Sequence, residues 1–230
     1  MKQGPFELEV LLHGLPAREY GYRGETFVEG LRGSEFTLRF RNNTDHKIVV
    51  VLAVDGLNVM NGKTASVSDG GYVIDPYDFV DVPGWTLNLQ EVAHFEFSSL
   101  PASYAAQMDK PANVGVIGAA IFFEKELPRP PIVYRSLGNE STTRHFGGLA
   151  EAKSLGNIGT AFGRRSGFAV TQVHFNREDH PRAKLVLRYD DAQGLRARGI
   201  MLDTAHPDPT VNADPFPGDF GDTPPSHWRG

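Results

Sequence analysis

Glu35-Phe36-Thr37-Leu38-Arg39-Phe40-Arg41-Asn42-Asn43-Thr44-Asp45-His46-Lys47-Ile48-Val49-Val50-Val51-Leu52-Ala53-Val54-Asp55-Gly56 holds two strands of different kinds. In the first, Phe36, Leu38 and Phe40 alternate with Thr37, Arg39 and Arg41, the period-2 mark of a strand with one wet face. The polar stretch Asn42-Asn43-Thr44-Asp45 makes the turn. In the second, Ile48–Val54 is continuously apolar and rich in β-branched residues, so it belongs in a sheet interior with both faces covered. Asp55-Gly56 then supplies two residues that tolerate positive φ, a tight-turn signal.

The same grammar extends outward. Phe6, Leu8 and Val10 alternate with Glu7 and Glu9. Asn61-Gly62, Gly70-Gly71, Pro76 and Pro83-Gly84 punctuate short strands at 72–74 and 79–82, and further strands fall around His94, Phe95 and Phe97 and over 114–123. Pro101 and the alanines that follow predict one or two helical turns over 99–106. Many short strands between turn residues predict a mainly β chain, an antiparallel β-sandwich or jelly-roll-like domain over residues 1–127.

Leu127-Pro128-Arg129-Pro130-Pro131 reads as a stiff connector. Residues 128–202 read as a smaller β-rich region packed on or beside the first domain. It comprises Gly-rich loops from 138 to 167 with a short helix at 149–153, strands at 168–175 and 183–189, and a helix over 192–198 capped by Asp190-Asp191. Residues 203–230 hold six Pro, three Gly and five Asp, with one residue from Ile, Leu and Val. Such a segment cannot bury enough surface to fold alone. It nevertheless carries Phe216, Phe220 and Trp228, so it reads as an extended Pro-rich arm that docks these rings on another surface.

Charge and composition exclude several functions. The net charge of −5 argues against generic nucleic-acid binding. Residues 1–127 carry 10 basic and 17 acidic side chains, 128–202 carry 12 and 6, and 203–230 carry 1 and 5. This alternation suits complementary packing within the chain or between neighbours. The absence of cysteine removes disulfides, thiolate metal sites and a thiol nucleophile. Nothing resembles a membrane span or a secretory signal, which predicts synthesis in the cytoplasm. The sequons at Asn42 and Asn139 are then chance matches.

No catalytic, cofactor or metal site emerges. Gly159 to Gly167 is glycine-rich but lacks a phosphate-loop spacing, and Arg164 and Arg165 read as solvated. His174, His180 and His206 are too scattered for zinc, His94 reads as a satisfied strand histidine, and no Ser-His-Asp set is tied together. Asp75, Asp78 and Asp81 cluster in a turn, without calcium-loop spacing.

Arg41-Asn42-Asn43-Thr44, Val54-Asp55-Gly56-Leu57, Gly71-Tyr72-Val73-Ile74, Gly84-Trp85, Ser103-Tyr104-Ala105, Asn113-Val114-Gly115-Val116-Ile117-Gly118 and Gly159-Thr160-Ala161-Phe162-Gly163 form a further pattern. Together they resemble a family of small β-rich proteins of bacteria and of tailed-phage and prophage genomes. The likeness spans most of residues 30–202. It implies no activity and no site residue. The expected function is a non-enzymatic structural or assembly protein, a virion component such as a capsid decoration, cement or fibre-like protein. Its expected partners are copies of itself or capsid proteins, not nucleic acid or membrane. The alternative is a carbohydrate- or surface-binding module using Tyr72, Tyr77 and Trp85 with Asp75 and Asp78.

Overall fold

The computed structural model describes residues 1–107, 113–125 and 158–202. The Pro-rich joint, the expected helix at 149–153 and the arm with Phe216, Phe220 and Trp228 lie outside the described residues.

The described chain is mainly β and forms two sheets. One contains β1 (Lys2–Gln3), β2 (Phe6–Leu12), β3 (Leu15–Pro16), β6 (Glu35–Asn42), β10 (Phe79–Val82), β11 (Gly84–Thr86), β12 (Glu91–Ser99) and β14 (Ile158–Gly167). The other contains β4 (Glu19–Tyr22), β5 (Glu25–Glu29), β7 (Ile48–Val54), β8 (Leu57–Asn58), β9 (Tyr72–Ile74), β13 (Val116–Phe123) and β15 (Ala183–Asp190). The first is wholly antiparallel. The second runs β4-β5-β15-β13-β7-β8 and is mixed, because β15 pairs parallel to β5. A 3-10 turn at Leu100–Ala102 leads to α1 (Tyr104–Gln107), and α2 (Ala192–Ala197) follows β15. No helix among the described residues is long and apolar enough to cross a membrane.

Alternation explains the core. β6 buries every second residue, and its Phe36, Leu38 and Phe40 join Phe6, Leu8 and Val10 of β2 in one apolar cluster. That cluster also takes Ile48, Val50 and Leu52 from β7 and Leu185 and Leu187 from β15, so the two sheets share it. Phe36 stacks on Phe95 at 5.1 Å and Phe97 at 4.3 Å between ring centroids. The continuous run of β7 is explained by its other face. Val49 and Val51 form a second cluster with Ala120 and Phe122, covered by Val73 and Phe175. A third, Phe27 with Leu195 and Ile200, seats α2 on the same outer face. The Asp191 carboxylate caps α2 by accepting from the Gly194 N–H at 2.8 Å.

Asp55-Gly56 forms the expected two-residue hairpin loop between β7 and β8, with φ of +54° and +76°. His13-Gly14 and Arg23-Gly24 do the same for β2–β3 and β4–β5, with positive φ at all four residues. The stretch from β10 to β11 is wedged into its sheet. Its first half pairs with β6 and, past Pro83, its second half pairs with β12. Gly84 is required at this crossing, since a Cβ there would stand 2.0 Å from the Ala93 carbonyl oxygen.

Two expectations need correction. The Gly-rich residues 158–167 are not loop but β14, a ten-residue strand along β12. Residues 168–175 are not a strand. They form an extended strap held to the chain before β12 by Phe168 and Val170 N–H groups donating to Gln90 and Leu89. Residues 176–178 then rejoin the end of β13 through Asn176 and Glu178.

Candidate functional site

The structure separates the acidic turn residues from one another. Asp81 holds Arg39 through two bonds of 2.6 Å on the outer face of β6. Asp75 lies 3.1 Å from the Lys47 ammonium, and Asp78 accepts from the Phe79 N–H at 2.8 Å. No three His, Asp or Glu residues among those described gather as a metal site. The aromatic platform fails as well. Trp85 and Tyr72 are only 2 % and 7 % exposed, while Tyr77 is 73 % exposed. Two of the three rings are thus core, packed on Phe95 and Phe168 respectively, and cannot receive a sugar together with the third.

Asp55 does more than turn the chain. Its fully buried carboxylate accepts from the Gly115 N–H at 2.9 Å, the Thr160 N–H at 2.6 Å and the Tyr189 hydroxyl at 2.6 Å. Tyr189 in turn accepts from the Thr160 hydroxyl at 2.7 Å, because its own proton faces Asp55. The residues come from both sheets, so the carboxylate ties them together at one end. Burial pushes Asp55 up to about 7 against the pull of these donors. Burial and the neighbouring carboxylate hold the Tyr189 phenol well above its ordinary value. Sealed from water, this network is structural.

A second polar cluster is open to solvent. Glu35 at the start of β6, His94 in β12 and Ser166 near the end of β14 meet across three strands. The His94 Nε2 lies 2.6 Å from Ser166 Oγ, and Nδ1 lies 3.1 Å from Glu35 Oε2. Arg164 donates its Nε to Glu35 at 2.7 Å. Burial works to raise Glu35, but the Arg164 bonds and the nearby His94 outweigh it and hold the carboxyl below its usual range. A β-bulge between β12 and β14 produces the convergence. Between the pairs Ala93–Arg165 and Phe95–Phe162, two residues, Gly163 and Arg164, oppose His94 alone. His94 is therefore a satisfied strand histidine, as expected, and a Ser-His-acid set is tied together where none was expected.

A larger opening involves the other sheet. Between β9 and the strap runs a groove of about 1010 Å³, with Val73, Tyr72 and Gly71 on one wall and Val170, Val173 and Phe175 on the other. Among the described residues β9 pairs only with β7, and its Tyr72 and Val73 line the groove. Gly71 belongs there because a Cβ would lie 2.2 Å from the Val50 carbonyl oxygen. Arg177 closes the floor, its guanidinium 4.5 Å from the Phe122 ring and donating to the Asp69 carbonyl at 2.8 Å. Desolvation lowers its pKa against the opposing pull of Asp69. Asp75, Lys47 and Glu124 add charge to the lining. Sequence reasoning missed this groove because its far wall is the strap, which carries strand-like residues without a ladder.

Comparison with protein-family models, curated proteins and solved structures finds no match to this chain.

Proposed function

We propose that the protein is a binding and assembly module built on a jelly-roll-like β-sandwich. Its groove receives an extended segment of a neighbouring subunit. The observation that carries this reading is the groove itself, lined on one side by β9, which among the described residues pairs only with β7, and on the other by apolar side chains of the strap. Such an arrangement suits an added strand better than a compact solute, since backbone groups give affinity and alternate side chains find apolar contacts.

The segment proposed to enter it is the arm 203–230 of a second copy. Its six prolines disfavour a helix, and its three large aromatics match the apolar walls. Three rings of about 150–250 Å² each, at ~25 cal/mol per Å², contribute on the order of 10 kcal/mol if fully buried. Ordering costs on the order of 1 kcal/mol per residue, so docking holds only short stretches around Phe216, Phe220 and Trp228, and many copies reinforce it. In the setting that the family resemblance implies, this is a decoration, cement or fibre-like subunit of a phage particle.

The test uses sedimentation of the full chain and of residues 1–202, with circular dichroism to check that both keep their β signature. The full chain should self-associate and the shortened one should not. A synthetic 203–230 peptide should bind the shortened protein, and Val173→Asp should weaken that binding at least tenfold. A full chain that stays monomeric, or a shortened one that still associates, overturns the reading. Specific binding on a glycan array would favour the carbohydrate alternative instead.

A further inference from the structure

We propose that Ser166 is an activated nucleophile and that the protein carries a serine acyl-transfer site on the outer face of β6, β12 and β14. The argument begins with proton positions. Glu35 is held by Arg164, and its Oε2 lies 3.1 Å from His94 Nδ1, a charge contact that favours the ring proton on that nitrogen. The other nitrogen, Nε2, then presents its lone pair to Ser166, 2.6 Å away, and the serine hydroxyl must donate. This is the division of labour of a serine–histidine–carboxylate triad, recognised by geometry and roles rather than by position in the chain. The carboxylate is a glutamate and all three groups sit on strands, which hold them more rigidly than loops would.

The surroundings suit the chemistry. His94 is nearly buried while Ser166 is partly exposed, so the base is shielded and the nucleophile reachable. A cleft of about 460 Å³ lies beside the base, lined by His94, Glu35, Arg164, Ser34 and the His13-Gly14 turn, while Ser166 stands outside its lining. Arg164 lines the same cleft and engages Glu35 through Nε, with most of its side chain in solvent.

The substrate class is an ester or other activated acyl compound. Ser166 Oγ forms a bond to the carbonyl carbon as its proton passes to His94 Nε2 and the carbonyl electron pair moves onto oxygen. Collapse of that intermediate breaks the bond to the leaving group, which takes the proton from Nε2. Water then repeats the two steps on the acylated serine, releasing the acid and restoring the hydroxyl.

The experiment treats the full chain with a fluorophosphonate probe and, separately, with p-nitrophenyl acetate, followed by intact mass and peptide mapping. One equivalent of phosphonate should appear on Ser166. Labelling should vanish in Ser166→Ala and fall on the order of a hundredfold in His94→Gln, the scale of a lost general base. Glu35→Gln should slow it less, and Ser166→Cys should retain reactivity toward the probe. No labelling above that of Ser166→Ala after hours at saturating probe overturns the proposal, as does label spread over other residues. The cluster and the groove share no residue, so failure here leaves the self-association result standing, and the reverse.

Discussion

The outer faces of the two sheets are built by opposite means. On the sheet holding β6, water covers the face and charge organises it: Glu9 meets Arg41, Asp81 meets Arg39, and Phe79 lies beneath both arginines at 4.7 and 4.9 Å. On the sheet holding β7 the outer face is apolar and must be roofed, by α2 over Phe27 at one side and by the strap over Val49 and Val51 at the other. A solvated face keeps its energetics local, since each exposed ion pair is worth about 0–1 kcal/mol. A roofed face makes its stability depend on segments distant in the chain.

The largest expected effect comes from cutting the tie between the two sheets. Asp55→Ala leaves the Gly115 and Thr160 N–H groups and the Tyr189 hydroxyl buried without an acceptor, and should cost about 3–5 kcal/mol in urea unfolding. The same residue gives a pH signature. Its folded-state value, about 7, stands above the ordinary 3.8, so its contribution is full below the ordinary value and is lost as pH rises through about 7. Wild-type stability should therefore decline over that window, and the decline should be absent in Asp55→Asn.

Next come the roofs. Leu195→Ala unseats α2 from Phe27 and Ile200 and should cost about 2–4 kcal/mol, with selective loss of amide protection in 192–200. Phe175→Ala opens the roof over Val49 and Val51. Because Phe175 is only partly buried, about 1–2 kcal/mol is expected, with faster proteolysis within 168–177 as the clearer readout. The smallest effect belongs to the solvated face, where Arg39→Ala should change stability by less than about 1 kcal/mol, and less still at high salt. If Arg39→Ala proved as damaging as Leu195→Ala, the contrast between the faces would be wrong.

What could be read from residue order follows the same division. Regular alternation in β2 and β6, the unbroken run of β7, the Asp55-Gly56 turn and the Asp191 cap each report a local cause, and each stands where expected. β3 and β4 escaped notice because they are short and mostly exposed, with few apolar residues to pattern, and because His13 and Arg23 occupy turn positions usually given to Asn or Asp. β14 was obscured because Gly, Thr, Arg and Ser fill a half-exposed strand and leave no period. Glu35, His94 and Ser166 share no local motif. Their meeting is decided by strand register and one bulge, which are tertiary facts.

The parallel pairing of β5 with β15 has a temporal consequence. Thr26 must wait for Leu187, about 160 residues later in the chain. At synthesis rates of roughly 5–20 residues per second, that is on the order of ten seconds or more during which β5 has β4 on one edge and no partner on the other, joined late in the interval by the open edge of β13. Contacts of such long range slow folding and expose strand edges to neighbouring nascent chains. A ribosome-bound fragment halted near residue 127 should accordingly recruit chaperones or aggregate, and release of β15 from the exit tunnel should end that vulnerability.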